Sequence, residues 1–338
     1  MDNIMEKSDI PIVFAANNYY VPYMATMIQS VMETAGHEKQ YVFYILHQEI
    51  DDNNMELLKK QISNFHQFSI KFINVSSYIS KYNLYVSRHI TVESYFRLLI
   101  PELLPEYKKA VYLDGDMICC TDIAELFNIN IEKYLLASVR DTAVALYYSK
   151  KEENYLKSRH QILLKLKNPD EYFNGGMCLF NIELFRNTIS TKELIELAAS
   201  RQWPVHDQDV LNYLADSKVL LLPYHWNCMT MPLAEYLPKH LFDNYCDAKN
   251  NPKIIHFNAV KPWNCYTYIT NFELFWKHAT RTPFSGAVID RMKLKGFTSD
   301  KSLKDMVISN IIKRNGIGIR FILFDCIKAW LSRKKTKK

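Results

Sequence analysis

The first seventy-five residues alternate strand-like and helical patterns in strict succession, and few folds accommodate that order. Ile10–Ala15 is an unbroken apolar run closed by Asn17-Asn18, the pattern of a buried strand entering a loop. From Val21 to Met32, residues Met24, Met27, Ile28 and Val31 fall at helical spacing. Tyr41–His47 reads as a strand, Asn54–Phe65 as a helix and Phe68–Val75 as a strand. Strands joined by helices through short connections argue for an α/β chain: a mostly parallel sheet covered by helices on both faces.

The pattern continues with a short helix at Thr91–Leu99 and strands at Ala110–Leu113 and Leu135–Val139. Residues 141 to 171 break it: they carry Lys150, Lys151, Glu152 and Glu153 and are expected to pass over one end of the sheet. Beyond them, Phe173–Ile182 reads as a strand, Lys192–Ser200 and Asp207–Leu214 as helices, and Val219–Leu222 and Lys253–Phe257 as short strands. At 338 residues and 48% hydrophobic, the chain can bury the core of one large or two smaller domains, and it is not disordered. It has no apolar run of spanning length, and Met1–Asp9 lacks the apolar stretch of a signal peptide, so a soluble intracellular protein is expected.

The net charge of +6 resides in a tail. Lys328, Arg333, Lys334, Lys335, Lys337 and Lys338 lie in the last eleven residues, and without them the charges balance at 36 of each sign. The body therefore shows no basic bias toward nucleic acid. Seven cysteines without any CxxC spacing fit reduced thiols better than a disulfide framework or a zinc site. Cys119 and Cys120 are expected to be buried thiols.

The sharpest chemical signal is Val111-Tyr112-Leu113-Asp114-Gly115-Asp116, a buried strand running into two carboxylates. In extended chain, residues two apart point the same way, so both acids can face one ion. The carboxyl end of a parallel strand is where open α/β sheets place ligands. Two hard oxygen ligands suit Mg²⁺ or Mn²⁺ on a diphosphate. A second pair, Asp207 and Asp209 around Gln208, precedes a helical pattern and should cap its N-terminus. It is assigned to the substrate side, with Asp207 accepting from a sugar hydroxyl. His256 follows an apolar strand and precedes Lys261 by five positions. An imidazole ligand beside a lysine charge would favour Mn²⁺.

In this order, Ile12–Tyr20, Arg88–Leu98, Tyr112–Asp116, Tyr172–Asn181, Asp207–Asn212, Trp226-Asn227 and His256–Trp263 resemble the motifs of glycosyltransferase family 8, which includes bacterial lipopolysaccharide galactosyl- and glucosyltransferases and glycogenin. The resemblance covers residues 10 to 265. It implies a GT-A fold over residues 1–275, with a Rossmann-like nucleotide-sugar half to about 120 and an acceptor half beyond. It also implies retaining transfer of galactose or glucose from UDP-galactose or UDP-glucose. By motif, Asp114, Asp116 and His256 would hold Mn²⁺, with Mg²⁺ the alternative, and Gly115 lies between the two acids. Ala15, Ala16, Asn17 and Tyr20 would line the uracil and ribose pocket, with Ile90 nearby. Arg97, Asn174, Gly175, Asp207 and Gln208 would surround the donor sugar, with Arg97, Asn174, Asp207 and Gln208 the catalytic candidates. Lys261 would bind phosphate. The chain departs from the family where Asn17 replaces the usual Asp, where Tyr19 replaces an Asn, and where a glycine is missing between His256 and Lys261.

A divalent ion and Lys261 would stabilise the charge that develops on the leaving phosphate. Gln208 is a poor nucleophile, so front-face attack by the acceptor hydroxyl is the expected mechanism. The acceptor would be an oligosaccharide or a lipid-linked glycan of a bacterial surface, bound by residues 141–171 and 228–252. Within 276–338, expected to be helical, Ile319, Ile322, Leu323, Cys326, Ile327, Trp330 and Leu331 mark one helical face ahead of the basic cluster. Such a helix suits an anionic membrane surface, here the inner face of the plasma membrane. A non-catalytic nucleotide-sugar-binding protein and a self-glycosylating, glycogenin-like enzyme are the alternatives. A nucleotidyltransferase would want a Gly-rich basic loop where Asn17–Tyr20 stands, and no GxGxxG supports a dinucleotide enzyme.

Overall fold

The computed structural model describes residues 9–86, 90–144, 159–230, 237–258, 261–264 and 271–296. Strands β1 (Ile10–Ala15), β2 (Tyr41–His47), β3 (Phe68–Asn74) and β4 (Lys109–Leu113) pair in parallel in the order β3-β2-β1-β4. Their unbroken apolar runs follow from burial on both faces. In β1, Ile12 and Phe14 enter the core on one face while Val13 enters the core on the other. In β2, Tyr41, Phe43 and Ile45 are divided in the same way from Val42, Tyr44 and Leu46. Helix α1 (Val21–Thr34) packs its methionines into the first of these cores, and Pro22 stands in its opening turn, where the missing N–H costs nothing. Helix α2 (Asp52–Ile62) is capped by Asp51, whose side chain accepts from the Asn54 N–H at 2.8 Å.

The sheet continues through β7 (Phe173–Asn181) to β6 (Leu136–Arg140) and β8 (Val219–Leu222). The sheet is mostly parallel, as expected, and the exception is β7, which runs antiparallel to both β4 and β6. Burial on both faces gives a parallel and an antiparallel central strand the same apolar run, so direction is not readable from the pattern. The reversal brings the N-terminal end of β7 to the rim where β1, β4 and β6 end. A second sheet, β5 (Met117–Cys119), β10 (Ile254–His256) and β9 (Cys228–Met229), stands at this rim. Its strands of two or three residues are too short for periodicity to reveal in full.

The expected helix at Thr91–Leu99 is a 3-10 helix over Val92–Leu99, followed by one α-turn at Ile100–Leu103. Pro101 lacks the N–H that would continue an α-helix onto the Arg97 carbonyl, and Ile100 bonds it instead in the tighter pattern. The other expected strands and helices among the described residues lie within two residues of their expected bounds, except that α2 ends at Ile62, three residues before the expected Phe65. Cys119, Cys178 and Cys228 are buried and free, whereas Cys120, expected to be buried, is only half-buried. Helices Phe272–Ala279 and Ser285–Gly296 pack on α1 through Phe275, Ala279 and Val288, with Tyr23 and Trp263 in the same cluster. The expected helix from Ile319 and its basic tail, Cys265, and the charged part of 141–171 around Lys150 lie outside the described residues. Among the described residues, no helix is long and apolar enough to cross a membrane.

Candidate active site

The end of β4 delivers the two acids. The Asp114 N–H continues the ladder to the Gly176 carbonyl at 2.8 Å, and the Asp116 carbonyl accepts the Phe257 N–H at 3.0 Å. Because β10 lies antiparallel to β5, His256 stands opposite Met117 and next to Asp116. One ligand atom each from Asp114, Asp116 and His256 falls within 4.8 Å of the others.

Each acid has one oxygen committed and one facing the imidazole. Asp114 Oδ1 accepts from Arg97 Nη2 at 3.0 Å and from the Tyr112 hydroxyl at 2.9 Å. Its Oδ2 lies 4.0 Å from His256 Nε2. Asp116 Oδ2 is bonded by Lys261, and its Oδ1 lies 3.3 Å from the same Nε2. Burial alone would raise the Asp116 carboxyl, but Lys261 and then His256 reverse this and hold it well below the usual carboxylate range.

Hydrogen bonding assigns the proton on His256. The Gly176 N–H donates to Asn174 Oδ1 at 3.0 Å, which fixes that amide's orientation. Asn227 must then donate its Nδ2–H to Asn174 Oδ1, at 3.0 Å, and turn its oxygen to His256 Nδ1, also at 3.0 Å. An amide oxygen only accepts, so Nδ1 carries a proton and Nε2 is the ring nitrogen left facing the two acids. Two hard oxygens and an imidazole nitrogen fit Mn²⁺ well and Mg²⁺ less well. Gly176 makes the approach possible, since a Cβ there would lie 2.6 Å from His256 Cε1 and 2.7 Å from Asp114 Oδ2.

A second cluster lies behind the acids. Arg97 is buried over the Tyr112 ring at 4.2 Å. Burial alone would lower its pKa, but Asp114 and Asp207 raise it above the ordinary guanidinium value. Its Nε–H points to the Ser94 carbonyl at 3.0 Å, with Asp207 Oδ2 as ion partner at 2.9 Å, and its Nη1 donates to the Gly175 carbonyl. Asp207, expected to meet a sugar hydroxyl, is therefore buried against this guanidinium. Burial pushes its carboxyl up to about 6, with Arg97 pulling the other way. The helix His206–Leu214 has no side-chain cap at Val205; Asp209 instead reaches back to accept the Val205 N–H at 2.8 Å and takes the Tyr172 hydroxyl at 2.7 Å.

Gln208, on the same helix, is half-buried and held on all sides. Its Oε1 accepts from the Gly175 N–H at 2.9 Å and from Asn174 Nδ2 at 3.3 Å. Its Nε2 donates to Asp141 Oδ2 and to the Tyr172 hydroxyl, both at 3.1 Å. Asp141 also accepts from Asn174 Nδ2 at 3.1 Å.

Ala15 and Ala16 stand at the carboxyl end of β1, and the Asn17 side chain accepts the Tyr20 N–H at 3.1 Å. The Tyr20 ring packs over Gly115, where a Cβ would lie 3.3 Å from its Cδ1. Ile90, partly exposed, precedes the 3-10 helix that carries Arg97. The structure thus joins Asp114, Gly115, Asp116, His256 and Lys261 to Arg97, Asn174, Gly175, Asp207 and Gln208, with the β1–α1 loop alongside. Sequence reasoning missed Tyr112, Asp141, Tyr172 and Gly176 as site residues and gave Asn227 no role. Asp141 had a usable signal, because an acid follows β6 as one follows β4.

A family model described as Glycosyl transferase family 8 matches residues 11–267. General stress protein A of Bacillus subtilis (strain 168) is 26% identical over 276 residues, covering 78% of this chain and 91% of its own. Lipopolysaccharide 1,2-glucosyltransferase of Escherichia coli (strain K12) is 25% identical over 178 residues, half of this chain and 48% of its own. In fold, the chain is similar to the galactosyltransferase LgtC, solved in complex with donor and acceptor sugar analogues, with a TM-score of 0.64, 20% identity, and coverage of 82% of this chain and 99% of that one.

Proposed function

Because the chain belongs to glycosyl transferase family 8, we propose that it moves galactose or glucose from UDP-galactose or UDP-glucose to a glycan acceptor with retention of configuration. The observation that carries this reading is the convergence of one oxygen from each of Asp114 and Asp116 on Nε2 of His256, beside Lys261. Those three residues would hold Mn²⁺ on the donor diphosphate. When bound, the ion supplies Lewis-acid stabilisation of the departing phosphate.

The protein's own residues do the rest. Lys261 adds a second positive charge at the phosphate. Arg97, fixed by Asp207, orients Asp114 and the Gly175 carbonyl beneath the donor sugar. Gln208 is an amide with both ends hydrogen-bonded, which suits a wall for the sugar and not a nucleophile. The acceptor hydroxyl then attacks C1 from the face that UDP leaves. The C1–O bond to UDP breaks, the new glycosidic bond forms, and the hydroxyl proton passes to a phosphate oxygen. Ala15, Ala16, Asn17, Tyr20 and Ile90 would line the nucleoside pocket.

We place the acceptor among bacterial surface glycans, as lipopolysaccharide or a related polysaccharide, an assignment that the name of the E. coli relative supports. We further place the enzyme in the cytoplasm, held at the inner face of the plasma membrane by its basic amphipathic C-terminus. The test is release of UDP from UDP-glucose, UDP-galactose and UDP-N-acetylglucosamine, with and without Mn²⁺, beside Asp116→Asn. Mn²⁺-dependent release from a hexose donor, lost in the variant, supports the assignment. UDP binding with no turnover on any donor or acceptor favours a binding protein. A sugar appearing on the chain itself favours self-glycosylation.

A further inference from the structure

We propose that Arg291, on the helix Ser285–Gly296, is a positioning residue for the β1–α1 loop and thereby sets the affinity for the donor's nucleotide. This rests on the reading above that the loop holds the nucleoside.

The loop is anchored twice. At its front, the Asn18 side chain donates to the Glu49 carbonyl at 2.7 Å and accepts from the Asp51 N–H and Asn54 Nδ2, each at 2.9 Å. These bonds tie it to the connection between β2 and α2. At its back, the Val21 N–H goes to the Asn17 carbonyl, and the N–H groups of Tyr23 and Met24 both go to the Tyr20 carbonyl. The Tyr19 carbonyl is taken instead by Arg291 Nη1. The same guanidinium lies over the Tyr19 ring at 4.6 Å and within 5.6 Å of the Tyr23 ring, so one side chain holds both the backbone and the ring of Tyr19.

What it holds leads directly to the acids. Tyr19 meets Tyr23 edge-on at 6.0 Å, and Tyr23 stacks on Trp263 at 3.8 Å and 10°. Tyr20 stands edge-on to both, at 5.5 Å and 6.1 Å, and covers Gly115 between Asp114 and Asp116. Trp263 in turn lies two residues beyond Lys261. A shift at Tyr19 would pass through packed rings to the diphosphate position without unfolding anything. The helix has its own clamps elsewhere: Val288 is buried with Phe275, and nearby Arg281 pairs with Glu33 at 2.7 Å.

That second clamp supplies the control. UDP binding in Mn²⁺ would be measured by calorimetry on the full chain, Arg291→Ala, Arg291→Lys and Arg281→Ala, together with donor KM and kcat. Arg291→Ala should weaken UDP binding and raise donor KM by about tenfold while leaving kcat nearly unchanged. Arg291→Lys should recover part of the loss, and Arg281→Ala should bind like the wild type. Unchanged UDP binding in Arg291→Ala, or an equal loss in Arg281→Ala, would overturn the inference while leaving the nucleotide site standing. Failure of the wild type to bind UDP at all would instead remove the nucleotide reading on which it rests.

Discussion

A single methyl group at position 176 should separate folding from metal binding. On Gly176 it would lie 2.6 Å from His256 Cε1, 2.7 Å from Asp114 Oδ2 and 3.0 Å from Asn174 Oδ1. Non-bonded carbons settle at about 3.5–4.0 Å, so the imidazole must retreat by about 1 Å. The backbone at Gly176 is held on the β4 side, where its carbonyl takes the Asp114 N–H at 2.8 Å, while on the β6 side β7 bulges between the Ala137 and Val139 pairs. Asn227 closes the far side of the ring. Metal–ligand distances tolerate only about 0.2 Å. Gly176→Ala should therefore cost about 1–3 kcal/mol of stability through overpacking, and Mn²⁺ affinity should fall at least about tenfold. Gly175→Ala, whose nearest neighbour would be Arg97 Nη1 at 3.1 Å, should be milder. Gly286→Ala, facing open space on a helix, should be neutral or stabilising by up to about 1 kcal/mol. Free Mn²⁺ counted by electron paramagnetic resonance, beside thermal unfolding of each variant, makes the comparison. Wild-type Mn²⁺ binding by Gly176→Ala would refute the geometry.

Replacing Asn227 by Leu frees the His256 tautomer, and Mn²⁺ affinity should drop about 10–100-fold in the same titration; an unchanged affinity would mean that the ring is oriented by something else. Arg97→Lys cannot reach Asp114, Asp207 and the Gly175 carbonyl together, so kcat/KM should fall by at least about tenfold on whichever donor the wild type uses. Asp207 is raised in the folded state to about 6, so the stability it contributes is complete below the unfolded value of about 4 and is lost as pH rises through 6. Measured against Asp207→Asn, the wild type should lose stability between pH 4 and 7 and level off above that; a difference independent of pH would contradict the burial of this carboxyl.

Legibility in the sequence followed the length of each element and the chemistry of each side chain. β1, β2 and β8 were readable to the residue, since long or isolated apolar runs have one physical explanation when turns bound them. β7 was readable as a strand but not in direction, because both faces are covered whichever way it runs. β9 has two residues and carries no period at all. Within the site, Asp114 and Asp116 announced themselves by spacing. Asp141 and Tyr172 meet Gln208 across 67 and 36 residues, and although the acid after β6 was visible as a residue, its bond to Gln208 was not. Asp207 shows the converse case: its carboxylate was recognised, but its partner was not, since nothing in the sequence says that Arg97 would be buried against it.

The antiparallel turn of β7 has an architectural consequence. Arg140 pairs with Phe173, and the Asp141 N–H bonds the Tyr172 carbonyl at 2.9 Å, so the connection between them leaves the rim and returns to it at adjacent points. Its two ends are thus fastened by the sheet whatever its length. Doubling such a loop adds only about 0.6 kcal/mol to the cost of closing it. Closure is therefore cheap, but the described part of 141–172 is not a free loop: Thr142, His160, Leu164 and Leu166 are buried, the two leucines in the core that also holds Phe173 and Phe180. Its two fastening points, Asp141 and Tyr172, are also the two acceptors of the Gln208 Nε2 group, so the segment starts and ends in register with that side chain.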